Sequence, residues 1–555
     1  MASKLWVFLG ELKRRKVYHA AVVYAVVGFG VASGAQYVFE MLGFPLAAAQ
    51  FVAILIILGL PVALVLAWAY EIRPEAPGEG AEVKPPAHSF DAPGTEQRKS
   101  IVVLPFVNMS DDSENEYFSD GMTEEIINAL AQLKDLRVAA RTSSFSFKGT
   151  SPDLDEVGTK LKVATVLEGS VRKSGDRLRI TAQLIDVSSG YHLWSERYDR
   201  ELDDVFAIQD EIAWVIVEKL KITLGAGVAD LLVRPSTESL EAYDLYLKGR
   251  FCVNLIGEGP LKGLEFFQEA LARDPDYALA YAGIAEAYSW LGNTGMLRPK
   301  EAMPKAREAA MRALELDETL AEAYFQLGWL AWNYDFEWSN AEKHFLRALE
   351  LNGDLPQIHS LFGFFLASMG RFEESLSELH RGIELDPLAQ NAQLWLVQVL
   401  AFLGRPSDAF ERLRIALELD PGSWHANFTA GLAYRLDSRH QEAVEALGKA
   451  IALPGRQTWS LMELALSSLA TGDRLRAEAI YEELVTRSAN EYVSLVSLAN
   501  VTAALGRTDE AFEWLDRAYE ERDALLTWVR VAPHYDPLRD DPRFSSFLEK
   551  MGLDT

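Results

Sequence analysis

The sequence predicts a three-part fold: a two-helix transmembrane hairpin, then an α+β domain, then an all-α solenoid of repeated helix pairs. Three observations predict it. Two long N-terminal runs carry no charged side chain. A middle segment mixes short apolar runs, strict alternation and helical spacing. The rest of the chain repeats with a fixed period, seen in Ala409, Ala443, Ala477 and Ala511, each 34 residues from the next.

The hairpin comes first. Residues 17–39, "VYHAAVVYAVVGFGVASGAQYVF", and residues 48–70 contain no Asp, Glu, Lys or Arg. Each is long enough to span roughly 30 Å of hydrocarbon. Pro61 would kink the second run, which membrane helices tolerate. Lys4, Lys13, Arg14, Arg15 and Lys16 precede the first run, and the short connection "EMLGFP" has no basic residue. The positive-inside rule then puts residues 1–16 in the cytoplasm and returns the chain there after two crossings. A cleaved signal ending at "ASGA" is the alternative for the first run. Residues 71–99 are rich in Pro, Gly, Glu and Ala and read as a semi-extended linker.

Length and charge narrow the function. The 555 residues allow two or three domains, and 49% hydrophobic residues are ordinary for a folded chain. A net charge of −27 argues against a nucleic-acid partner, because phosphate contacts need a basic face. Cys252 is the only cysteine, so neither an intramolecular disulfide nor a multi-thiolate zinc site can form.

Residues 100–225 form the middle domain. "SIVVLPF" reads as a buried strand, followed by a helix over 120–133 with Ile126, Ile127, Leu130 and Leu133 on one side. "LRVAA" is a second strand and 153–161 a short helix. "ATVLEGSVRKSGDRLRITAQLIDV" reads as a hairpin turning at Ser174-Gly175-Asp176. In its return strand Leu178, Ile180, Ala182 and Leu184 alternate with polar residues, so one face is buried and one wet. "YHLWSERYDR" is a further strand and 204–222 a final helix. The predicted order is β-α-β-α-β-β-β-α, helices packed on one sheet.

The stretch "SDDSENEYFSDGMTEEI" holds seven carboxylates: Asp111, Asp112, Glu114, Glu116, Asp120, Glu124 and Glu125. It lacks EF-hand spacing and a nearby His or Cys, so it does not read as a metal site. Asp120 stands where a helix N-cap belongs, with Glu124 and Glu125 in the first turn beside the positive helix end. No G-x-S-x-G, Walker loop or H-E-x-x-H occurs, and His192 and Trp194 read as sheet residues. The expectation is a non-enzyme with no cofactor and no metal.

With these segments in hand, residues 100–222 resemble the TolB N-terminal-like (FlgO-like) domain. The resemblance implies a non-catalytic sensory or docking module placed before tetratricopeptide repeats in bacterial membrane-bound regulators. It also implies a bacterial membrane protein, and the positive-inside reading then expects an inner-membrane anchor with the soluble parts in the cytoplasm.

The repeat array spans 238–524. Gly370 and Gly404, Gly472 and Gly506, and Asp386-Pro387 and Asp420-Pro421 again stand 34 apart. Gly after one helix, Ala inside the next and Asp-Pro at the end is the tetratricopeptide pattern. Gly suits a helix C-cap, and Pro a first helical position. About eight helix pairs are expected, starting near 240, 278, 321, 356, 390, 424, 458 and 492. Stacked, they form a superhelix whose inner groove is lined by the first helix of each pair. Residues 525–555, "HYDPLRDDPRFSSFLEKMGL" included, read as a capping segment.

The repeat frame places Phe325, Trp329, Trp332, Phe364, Asn391, Gln398, His425, Phe428 and Arg435 on inner helices. Aromatic and polar residues there suit an extended peptide or a partner helix. The expected function is a membrane-anchored scaffold or signalling adaptor binding protein partners in this groove. The alternative is a regulatory subunit of a separately encoded nucleotide cyclase or transcription regulator.

Overall fold

The computed structural model describes residues 99–110, 115–131, 133, 136–150, 152–175, 177–201, 205–220, 237–253, 259–353, 355–452 and 458–553. All of these belong to one compact unit, residues 95–555. The basic N-terminus, both predicted spans, nearly all of the linker, and Asp111, Asp112 and Glu114 lie outside the described residues.

The expected fold class is corrected in its first part. Among the described residues no helix is long and apolar enough to cross a membrane. The longest, Pro299–Leu316, has 18 residues and interrupts its apolar positions with Lys300, Glu301, Lys305 and Arg307. A helix of that length reaches about 27 Å, and its charges suit one wet face. The described fold is an α/β domain over residues 99–219 followed by a helical repeat array, and the inner-membrane placement is set aside with the hairpin.

Six strands build the α/β sheet: β1 (Lys99–Val103), β2 (Val107–Asn108), β3 (Leu136–Val138), β4 (Thr165–Ser174), β5 (Arg177–Asp186) and β6 (His192–Glu201). Their order is β3-β1-β4-β5-β6, with β2 also on β4. β1 runs parallel to β3 and β4, whereas β4-β5-β6 is an antiparallel meander. The difference follows burial. Ile101, Val102 and Val103 are all buried because helices cover both faces of β1. β5 alternates, with Leu178, Ile180, Ala182 and Leu184 inward and Arg177 and Arg179 in water.

Helices α1 (Glu116–Ala131) and α4 (Val205–Lys219) pack on the face that carries Leu178 and Ile180. Helices α2 (Arg141–Phe145) and α3 (Leu154–Leu161) belong to the opposite side, over Val102 and Val166. α1 starts at Glu116, so Asp120 is not an N-cap. Asp120 is buried in the second turn and accepts from Lys148 Nζ at 2.7 and 2.6 Å.

The array follows as consecutive helix pairs. The first four are α5 (Leu240–Val253) with α6 (Gly259–Arg273), α7 (Ala278–Asn293) with α8 (Pro299–Leu316), α9 (Ala321–Leu330) with α10 (Trp338–Leu351), and α11 (Pro356–Ser368) with α12 (Phe372–Leu385). The next four are α13 (Gln390–Phe402) with α14 (Pro406–Leu419), α15 (Trp424–Leu436) with α16 (His440–Ala452), α17 (Thr458–Ala470) with α18 (Arg474–Ser488), and α19 (Leu495–Ala504) with α20 (Thr508–Glu520). Small residues let the members of a pair touch. A Cβ on Gly363 would lie 2.9 Å from the Ser375 carbonyl oxygen and 3.0 Å from the Leu379 nitrogen. Ala409, Ala443, Ala477 and Ala511 are all buried.

The last pair meets the second and third. Lys300 Nζ is 3.0 Å from Glu521, and Arg522 Nη1 donates to the Asp335 carbonyl at 3.2 Å. Phe336 stacks on Tyr519 with ring centroids 6.0 Å apart. After α20 the chain turns back through two 3-10 turns, Ala524–Trp528 and Pro533–Leu538, before α21 (Pro542–Lys550).

Candidate functional site

The first helices of successive pairs pack against one another, and other segments of the chain lie against several of them. At the N-terminal end that segment is α1. A Cβ on Gly121 would meet the Leu247 side chain at 2.6 Å, so any larger residue here must displace Leu247. Around that contact Tyr117 Oη donates to Asp244 at 2.6 Å, and Lys173 Nζ reaches the same carboxylate at 2.9 Å.

One turn along α1, Glu124 accepts from Arg250 Nη2 and Arg141 Nε, each at 2.8 Å, and Arg250 also pairs with Glu286 at 2.6 Å. Burial opposes the Glu124 charge, but the Arg250 and Arg141 guanidiniums outweigh it and hold its pKa below the usual range. Burial and then the Glu124 charge push neighbouring Glu125 up to about 7. Glu124 thus ties the domain to the first repeat, with Arg141 on one side and Arg250 on the other, while Glu116 and Asp120 pair with Lys148 of the domain. Farther along, Ser143 Oγ donates to Asp386, and the Leu388 N–H donates to Ser143 Oγ at 3.1 Å. The α/β domain therefore touches the array at α5 and again at the Asp386-Pro387 turn.

At the C-terminal end it is the segment after α20. The Trp528 ring lies 4.4 Å from Phe364 and 5.7 Å from Phe402, centroid to centroid. His534 packs on Phe402 and reaches Glu463 and Arg435; its Nε2 is 2.9 Å from Arg435 Nη2. Arg435 Nε donates to Glu463 at 2.6 Å. A cavity of about 50 Å³ remains beside this triad, lined in part by Gln398, Phe428, Met462, Asn500 and Tyr535. Asn500 Oδ1 and Tyr535 Oη are buried there without a hydrogen-bond partner at normal geometry.

The nine candidate residues divide by depth. Phe325 packs on Phe345 inside its own pair, and Trp332 is buried with its Nε1 donating to Ser368 Oγ at 3.1 Å. Trp329 is half-buried, and its carbonyl accepts from Asn333 at 3.2 Å. Phe364, Gln398, Phe428 and Arg435 lie under or beside the returning segment. Asn391 stays exposed and His425 half-buried, with His425 Nδ1 3.2 Å from Asn391 Oδ1. These two and half-buried Trp424 form the ledge left outside.

Sequence reasoning missed Glu463, His534, Trp528 and Arg250. One signal was present for Glu463, the lone charged residue in "TWSLMELALSSLA". Among the described residues no group of three or more His, Cys, Asp or Glu is arranged to hold a metal ion.

Fold and site together define an α/β domain docked on a helical repeat array whose C-terminal part is built of tetratricopeptide repeats. Residues 396–457 and 462–524 match the tetratricopeptide-repeat family, and residues 97–214 match the family described as "HilA/YgeH-like transcriptional regulator, second domain". The latter match stands where the TolB N-terminal-like resemblance was expected. Among particular proteins, the chain is 41% identical over 211 residues to "Putative adenylate cyclase 3" of Rhizobium meliloti, covering 38% of this chain and 36% of that protein. It is 24% identical over 318 residues to "Transcriptional regulator HilA" of Salmonella typhimurium, covering 54% and 53%. The chain thus spans between about a third and a half of the curated relatives it matches. Similar solved structures include YrrB, a TPR protein with an unusual peptide-binding site (24% identity, 36% of this chain and 97% of that one, TM-score 0.25). Another is Pseudomonas aeruginosa pilF (19% identity, 42% and 99%, TM-score 0.31).

Proposed function

We propose that this chain is a non-catalytic protein-binding adaptor. In this reading its repeat array holds the α/β domain as a docking or sensory module and presents an outer ledge to partners. The role of that module rests on its resemblance to the TolB N-terminal-like domain. The observation that carries the reading is the division of the inner face. Phe364 and Arg435 are engaged by the chain's own residues, while Asn391, Trp424 and His425 remain at the surface. Half-buried Trp424 and His425 beside the exposed Asn391 amide, on neighbouring inner helices, suit a peptide backbone.

The test is a crosslinking pull-down with the full chain and with an Asn391→Ala, Trp424→Ala, His425→Ala variant. The variant is expected to lose partners that the parent captures, with unchanged circular dichroism. Retention of the same partners overturns the ledge.

A second reading is favoured by the 41% identity to the cyclase-named relative, of which 36% is covered. Here the chain regulates a separately encoded nucleotide cyclase or transcription regulator. In both readings the purified chain makes no cyclic nucleotide from ATP and Mg²⁺; product formation overturns the non-catalytic assignment.

A further inference from the structure

β6 closes the strand order and, among the described residues, pairs with β5 alone. Its ten residues form a long open edge, with Tyr198 the one buried member. Folded proteins ordinarily shorten, cover or charge such an edge, because its free N–H and C=O groups template another strand. Here the edge also opens on apolar surface: Tyr191, just before the strand, is 76% exposed and Leu193 is 43% exposed.

The charges on this edge are ordered. Glu196, Arg197, Tyr198, Asp199 and Arg200 read minus, plus, neutral, minus, plus. Reversed, the row reads plus, minus, neutral, plus, minus, so every charge meets its opposite when the segment runs antiparallel to itself. With a two-fold axis at Tyr198, Arg197 faces Asp199 of a second copy and Glu196 faces its Arg200. Symmetry repeats both pairs. Moving the axis to Arg197 or to Asp199 sets like charges directly opposite, which is destabilising. The wet face is prepared for this arrangement. Asp199 already accepts from Arg179 at 2.6 Å and lies 3.2 Å from Arg197, so an incoming Arg197 extends an existing row of charge pairs.

We propose that a second copy of this chain pairs antiparallel along β6, with the two-fold at Tyr198, joining two sheets into one. Backbone hydrogen bonds supply the attachment, and the Glu196–Arg200 charge pattern sets the register.

The test uses the full chain carrying Cys252→Ser. Arg197→Cys and Asp199→Cys are placed in separate preparations. Directly opposed residues lie about 4.5–5.5 Å apart at Cβ and diagonal ones about 7–8 Å, so only the opposed pair is within disulfide reach. Oxidation of the mixture is expected to give a linked dimer, and either preparation alone to give little. No link in the mixture, or equal links in the single preparations, overturns the register.

Sedimentation provides the second measurement. Arg197→Asp is expected to weaken self-association roughly tenfold, from two symmetric pairs lost. Adding Asp199→Arg to that variant together with Arg179→Asp, which keeps opposite charges facing across β5 and β6, restores the association. A parent chain that stays monomeric at micromolar concentration overturns the proposal, as does association indifferent to the reversal.

Discussion

Glu463 shows how one side chain is controlled by groups far from it in sequence. It is fully buried, and burial alone would raise its pKa; Arg435 and His534 outweigh burial and bring it to about 2. The unfolded carboxyl titrates at its ordinary value of 4.5. A folded pKa below the unfolded one stabilises the fold fully above pH 4.5, and this contribution disappears as pH falls towards 2. The shift corresponds to about 3 kcal/mol. Glu463→Gln is therefore expected to lower stability by about 3 kcal/mol at pH 7, leaving Arg435 without its charge partner. In denaturant unfolding, the gap from the parent should narrow between pH 4.5 and 2. A constant gap across that range contradicts the assignment. Glu463 was legible as an odd charge in an apolar helix, but Arg435 and His534 lie 28 and 71 residues away. No local pattern connects them.

At the scale of elements, the repeat's cap position explains both a regularity and an exception. Gly370, Gly404, Gly472 and Gly506 have φ of 78°, 65°, 86° and 80°. These left-handed values end a helix without strain only for glycine. Ser438 occupies the same position in the sixth pair, at φ 60°. Ser438→Gly removes a left-handed penalty of about 1–2 kcal/mol, offset in part by the added freedom of the unfolded chain. The expected outcome is a gain of about 1 kcal/mol, read as a higher thermal midpoint; a lower midpoint refutes it. α1 shows the opposite lesson. An Asp ahead of a helical run looks like a cap, yet α1 starts a turn earlier and Lys148 claims Asp120. Local pattern signals a helix start, but a partner from a distant turn decides where the carboxylate goes.

For the whole molecule, the returning C-terminal segment matters most. Leu526, Trp528, Val529, Tyr535 and Leu538 are buried, so this segment is part of the core of the array. Trp528→Ala should cost about 3–5 kcal/mol, the range for a truncated core aromatic. Hydrogen exchange should rise in residues 524–538 and in α13, where Phe402 packs on Trp528. Protection unchanged in α13 means the segment does not brace the inner helices. Residues 525–538 lie against inner helices of pairs four to eight, through Phe364, Phe402, Arg435, Glu463 and Asn500. Hydrophobicity marks a segment for burial without naming the surface that receives it.

The sequence by itself determined the local and periodic features. Small residues, caps and apolar spacing recur every 34 residues, and alternation in β5 sets its wet face, because these depend on neighbours a few positions away. Only the tertiary structure decided which cations answer Glu124 and Glu463, and that the last pair meets the second and third. It also showed that other segments of the chain lie against several inner helices. Those outcomes depend on the summed rotation of successive repeats and on buried charges finding partners across long separations, and no window of sequence encodes either.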